Sequence, residues 1–141
     1  MKKILYVAFV AIVGVCFVSC NKKQKEFYLS DLQGLWLEDG TKHYVNFTTE
    51  SAAEDYQADY MWGYEWDEAD SVFEDLVLND RHKNGWFVYR LTKDELLELH
   101  KTGEDWADIP KVYTMVVLTS SKMTYHRKDY KDEKVNFTKQ Q

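Results

Sequence analysis

The sequence has few cysteines, one proline and none of the short motifs that mark several common enzyme classes. Its two cysteines are Cys16 and Cys20. A chain cut just before Cys20 would keep one cysteine and could form no intramolecular disulfide. No Gly-x-Ser-x-Gly, His-Glu-x-x-His or Cys-x-x-Cys pattern occurs, and the four histidines are scattered. The sequence therefore contains neither the nucleophile elbow of a hydrolase nor a zinc-binding motif. We expect no catalytic activity, no cofactor and no metal.

Clustered positive charge is also lacking. The chain carries a net charge of −6, and removing residues 1–19, which contain two lysines and no acids, would bring it to −8. Residues 50–80 hold eleven carboxylates and no lysine or arginine, whereas 111–141 hold seven basic residues against three acidic ones. Nucleic acids require clustered lysine and arginine, so we expect no nucleic-acid partner. The acids after Asp67 lack the glycine of a calcium loop, since Val72 stands there, and predict a solvated acidic loop.

The N-terminus has the order of a secretory signal. Lys2 and Lys3 precede an apolar run from Ile4 to Val18, which is followed by Ser19 and Cys20. A run of fifteen residues is shorter than the roughly 20 that span a bilayer, so it predicts export and not a permanent membrane helix.

Val18-Ser19-Cys20 resembles the lipobox of bacterial lipoproteins, with Phe17 where leucine is usual. The resemblance implies a cleaved signal peptide over 1–19, lipidation of Cys20 and a polar tether over 20–31. It also implies an exported protein of the cell envelope, held by its lipid to the outer membrane. The alternative is an ordinary secretory signal that happens to end beside a cysteine.

Residues 32–141 are predicted to form short strands separated by turns. Asp39-Gly40 predicts a hairpin turn, and Val45 and Phe47 alternate in the strand that follows it. Residues 71–78 fit a strand or a helical turn, and we predict a strand. Residues 92–102 contain a possible helix cap at Thr92 and Glu95, yet 91–96 repeat in pattern at 118–123. We predict strand, tight turn and strand for both copies.

These segments give eight or nine short strands and no long helix. Closing the sheet removes its edges, and about eight strands leave room for packed side chains or one small ligand. The predicted fold is therefore all-β, a closed or nearly closed antiparallel up-and-down barrel of about eight strands.

Gly34 and Trp36 resemble the Gly-x-Trp at the start of the first strand in lipocalin-like barrels. The resemblance implies that Gly34 lets the chain turn inward and that Trp36 plugs one end. The whole mature chain is similar to small lipocalin-like lipoproteins of Gram-negative envelopes. It lacks the Thr-Asp-Tyr motif of true lipocalins, and Arg127 is the counterpart of their arginine near the last strand.

From Tyr56 to Trp66 every second residue is aromatic, except Ala58, and this is the clearest pattern in the chain, which we predict to be a strand. Strand side chains alternate between two faces, so this pattern predicts one aromatic face. Gly63 within it predicts a bend or a bulge. We predict that the face points into the barrel and binds a small apolar or aromatic-stacking ligand, although ordinary core packing would also explain it. The five predicted ligand contacts are Tyr56, Tyr60, Trp62, Tyr64 and Trp66.

Three function classes follow from these features. The first is a lipid-anchored envelope protein that binds a small ligand inside its barrel. The second is an interaction or inhibitor module with a filled barrel, which would act on an unidentified protein partner through the acidic loop 67–85. An enzyme would require a hydrogen-bonded histidine and carboxylate in a cleft.

Overall fold

The computed structural model describes residues 26–68, 81, 85–93, 96–101 and 110–141. The predicted signal peptide, the lipidation site and the strand expected at 71–78 lie outside these residues. Helix α1 begins at Leu29, within the segment that the sequence assigns to the tether. The elements are α1 (Leu29–Leu32), β1 (Gly34–Glu38), β2 (His43–Ser51), β3 (Met61–Asp67), β4 (Trp86–Leu91), β5 (Leu96–Lys101), β6 (Lys111–Leu118), β7 (Lys122–Arg127) and β8 (Val135–Lys139).

The eight strands form a closed barrel. Each strand pairs antiparallel with the next, and β8 returns to pair with β1. This confirms the predicted closed up-and-down barrel. Because the strands alternate in direction, the turns β2–β3, β4–β5 and β6–β7 meet at the end that holds α1, here called the helix end. The β1–β2 and β7–β8 turns lie at the opposite end, called the far end.

The predicted turns follow from local chemistry. In the first hairpin the amide of Thr41 donates to the carbonyl of Glu38 at 3.2 Å, and Gly40 has φ +77°, which favours glycine. β4 ends at Leu91 and β5 begins at Leu96, so the strand prediction for 92–102 is confirmed over Leu96–Lys101. The second copy is also two strands separated by a short connection, since β6 ends at Leu118 and β7 begins at Lys122.

Apolar side chains fill the barrel interior. The ring of Phe47 contacts Phe87 and Tyr89 edge-on, at centroid distances of 5.7 and 5.0 Å. Eight-stranded barrels are narrow enough for side chains to fill their interior, and the core side chains of this barrel pack in this way. The buried core comprises Leu32, Trp36, Val45, Phe47, Phe87, Tyr89, Leu97, Leu99, Met115, Leu118, Met123, Tyr125 and Phe137.

Trp36 closes the helix end of this core. Its side chain is 0% exposed, and its indole Nε1 donates to the carbonyl oxygen of Leu32 at 2.7 Å, which ties β1 to α1. The ammonium group of Lys139 lies 5.0 Å from the ring centroid. Arg127 was expected as the basic counterpart near the last strand, but it is exposed at the far end. Gly34 has φ +128°, and a Cβ there would come within 2.9 Å of the Lys139 side chain.

Candidate functional site

The aromatic face of β3 lies on the outside of the barrel. Directly opposed residues in antiparallel strands share a face. Gly63 opposes Phe47, which is part of the interior core, whereas Tyr64 opposes Asn46 on the other face. Trp62 and Trp66 share the face of Tyr64, so the prediction that these rings point into the barrel was wrong. A period of two fixes the alternation of side chains but does not say which face is buried inside.

The first half of the aromatic run is a loop and not a strand. β3 begins at Met61, and the segment before it turns back on itself, with the amide of Tyr60 donating to Gln57 at 3.1 Å and that of Ala52 donating to Tyr60 at 2.9 Å. This arrangement brings Tyr56 and Tyr60 to β3 from outside. The strand predicted over residues 56–60 was therefore wrong, because turn hydrogen bonds replace the sheet ladder there.

The five predicted ligand contacts belong to one outer aromatic cluster. Trp62 is fully buried in it, with its ring edge-on to that of Trp86 at 6.0 Å. Tyr64 and Trp66 are half-buried and stack at 5.5 Å. The buried members are Ala52, Tyr60, Trp62, Trp86 and Val88, and Tyr56 and Tyr64 pack against them.

A polar network borders this cluster. The hydroxyl of Tyr60 and the Nε of Arg90 both donate to Glu98 Oε2, at 2.8 and 2.7 Å. Arg90 Nη1 also donates to Asp59 at 2.6 Å. Burial opposes ionisation of Glu98, but the bonds from Arg90 and Tyr60 keep the pKa of this carboxyl below its usual range. The charge of Arg90 is thus already matched by two carboxylates.

A cleft opens at the helix end, between α1 and the β4–β5 turn, with a volume of about 340 Å³. Its floor includes Met61 and Tyr89, which lie on the interior face of the barrel. The hydroxyl of Tyr89 donates to the carbonyl of Thr48 at 2.6 Å. Ligand pockets begin at roughly 300 Å³, so the volume suits a small molecule. The lining residues are Leu29, Asp59, Met61, Tyr89, Arg90, Leu91, Thr92 and Lys93.

Sequence reasoning missed this cleft because its walls come from three separate segments of the chain. None of the lining residues forms a motif, and only the fold brings α1 beside the end of β4. The one available signal was the alternation of Tyr89 and Leu91 in a strand, which predicts a shared interior face. That alternation does not indicate an opening beside it.

A histidine and two carboxylates meet near the far end. His43 Nε2 lies 3.3 Å from Glu65 Oε2, and its Nδ1 lies 3.3 Å from Asp67 Oδ1. Both ring nitrogens therefore face a carboxylate, and neither is left to take a proton from a substrate. The hydrogen bond with Glu65 raises the pKa of His43 above 6.5, against the opposing effect of burial. The cluster links β2 to β3 and does not have the arrangement of a general base.

Within the described ranges, no group of three His, Cys, Asp or Glu side chains is arranged to hold a metal ion. In the same part of the chain, no helix has the length and apolar character needed to cross a bilayer. No protein-family model, curated protein or solved structure matches the sequence.

Proposed function

We propose that this protein is a lipid-anchored protein of the cell envelope that binds a small, largely apolar ligand in the cleft at the helix end. The observation that carries the proposal is the cleft itself, whose floor is formed by interior side chains and whose rim is charged. Met61, Tyr89 and Leu91 offer an apolar base, while Asp59 and Lys93 line the opening. A mostly apolar pocket with a few polar groups at its edge is the usual form of a small-molecule site.

The site differs from the one expected inside the barrel. The described core side chains contact one another inside the barrel, as the edge-on rings of Phe47, Phe87 and Tyr89 show. A ligand is therefore better accommodated beside this core than within it. The cleft adjoins the core through Tyr89, which belongs to it, and through Leu29, Met61 and Leu91, which pack against it.

The position of the cleft agrees with a lipid anchor at Cys20. Leu29, which lines the cleft, is nine positions after Cys20. A fully extended segment of that length spans at most about 30 Å, so an anchored chain would keep the helix end near the bilayer. A ligand that partitions into the membrane would then have a short path to the site.

The proposed binding of a ligand in the cleft is tested with 8-anilinonaphthalene-1-sulfonate. This fluorescent probe has an apolar aromatic body and an anionic group. Leu29→Trp would fill the cleft from its α1 wall, so we expect the affinity for the probe to fall by about tenfold, the loss that follows from excluding one buried apolar group. Val117→Trp is the matched control, because Val117 is an exposed apolar residue that does not line the cleft. Equal binding by both variants would contradict the proposed site.

The anchor is tested separately by fractionation. Cys20→Ser removes the thiol to which lipid would be attached, and we expect the protein to move from the membrane to the soluble fraction. Membrane association that persists in this variant would contradict the anchor and leave the cleft unaffected. The alternative function, an interaction module acting through the acidic loop 67–85, stays a prediction because most of that loop lies outside the described residues.

A further inference from the structure

A second cleft lies at the far end of the barrel, between the start of β6 and the end of β7. Its volume is about 350 Å³. It is separated from the first cleft by the length of the strands, because β6 and β7 run from one end to the other. The lining residues are Pro110, Lys111, Val112, Arg127, Lys128, Asp129 and Tyr130.

The charge of this cleft is opposite to that of the chain. Arg127 and Lys128 contribute two positive charges to the lining of this cleft, in a protein of net charge −6, and Asp129 is the one acidic side chain among the lining residues. Arg127 and Lys128 are exposed, and neither makes an ion pair with another residue of the described ranges. Their charges are thus available to a ligand.

Backbone hydrogen bonds fix the main chain that carries these cations. The amide of Lys128 donates to the carbonyl of Val112 at 3.0 Å, which fixes the end of β7 against β6. The amide of Tyr130 donates to the carbonyl of Arg127, also at 3.0 Å, and forms the turn that follows. This turn places Tyr130 on the cleft wall with 54% of its surface exposed.

We propose that this far-end cleft binds the phosphate group of a phosphate monoester. A dianion can pair with both Arg127 and Lys128, and the planar guanidinium of Arg127 suits two phosphate oxygens at once. The exposed ring of Tyr130, with Val112 and Pro110 beside it, offers an apolar surface to the organic part of the ligand. The phosphate group could belong to a soluble compound or to a lipid headgroup, and the two sources are separated by experiment.

Calorimetric titration of the full mature chain with phenyl phosphate tests the proposal. We expect saturable binding of one equivalent, and a loss of about tenfold or more in Arg127→Gln, as expected when a charge-assisted hydrogen bond is removed. Lys128→Gln provides a second variant should Arg127→Gln fail to fold. Lys134→Gln is the matched control, since Lys134 is exposed and close in sequence but does not line the cleft. It removes the same charge and should retain binding.

Two further arms complete the test. Benzoate has the same aromatic ring but one negative charge, and it should bind more weakly than phenyl phosphate. Vesicles of phosphatidic acid, whose headgroup is a phosphate monoester, are compared with vesicles of phosphatidylcholine. Their binding reports whether the cleft takes a lipid headgroup phosphate, with the same variants as controls. The proposal is overturned if neither phenyl phosphate nor phosphatidic acid binds, if Lys134→Gln loses as much affinity as Arg127→Gln, or if benzoate binds equally well.

Discussion

The ring of Phe87 lies directly over the backbone of Gly63, where a Cβ atom would come within 2.3 Å of the ring carbon Cε2. The two residues oppose each other on β3 and β4, so both face the barrel interior. Glycine at this position gives the phenyl ring space that any other side chain would occupy. The aromatic residues on either side of Gly63 are consequently directed outward.

Gly63→Ala should destabilise the fold by about 1–3 kcal/mol, the usual cost of overpacking a core. Phe87→Leu in the same chain removes the ring that the new methyl group would strike. The double variant should therefore lose less stability than the two single variants combined, measured as free energies of unfolding in urea. Additive losses would show that the contact between Phe87 and position 63 is not the cause.

The sequence was sufficient to predict the barrel because strand length, turn chemistry and closure are expressed locally. The hairpin at Gly40 and the repeated strand-turn-strand pattern are examples. The orientation of β3 could not be obtained in this way, since a strand with aromatic residues on one face can place that face on either side of a sheet. Gly63 was expected to mark a bend or a bulge, and the register shift between β2 and β3 begins at the pair of Phe47 with Gly63. The extra residues lie on β2, between Phe47 and Ser51.

Trp36→Ala should lower the free energy of unfolding by about 3–5 kcal/mol, as for other large buried aromatics. Trp36→Phe keeps a ring but removes the Nε1 donor, so the carbonyl of Leu32 loses its partner at a cost of about 1–3 kcal/mol. Urea unfolding of both variants separates packing from hydrogen bonding. A loss in Trp36→Ala no larger than that in Trp36→Phe would show that the indole ring contributes little packing.

The cluster of His43, Glu65 and Asp67 should make stability depend on pH. The pKa of His43 is raised in the folded state, chiefly by the hydrogen bond with Glu65. The stabilisation is therefore fully present below 6.5, the ordinary value, and is lost as pH rises through the higher folded pKa. Urea midpoints measured from about pH 5 to pH 8 should show this fall in the native protein.

Two variants identify the groups responsible. His43→Gln removes the titrating ring and should flatten the dependence over this range, and Glu65→Gln removes the largest cause of the raised pKa and should reduce it. An unchanged slope in His43→Gln would assign the pH dependence to other groups.

The candidate sites were harder to predict than the fold because each is assembled from distant segments. Leu29 and Leu91 line the first cleft together because α1 lies at the helix end, where β4 also ends. In the far-end cleft, Lys111 and Arg127 come together through the pairing of β6 with β7. The excess of basic residues after Lys111 was visible in the sequence, but the register that gathers them was not.

Trp62 and Trp66 decide whether the aromatic face of β3 is core or ligand wall. They lie on the same strand and the same face, two positions apart, but Trp62 is 0% exposed whereas Trp66 is only half-buried. Trp62→Ala should therefore cost about 3–5 kcal/mol in the free energy of unfolding, and Trp66→Ala clearly less. Probe binding at the helix-end cleft should persist in Trp66→Ala, since Trp66 does not line that cleft. If Trp62→Ala instead keeps its stability and loses binding of the probe, the aromatic face is a ligand wall and the cleft is not the site.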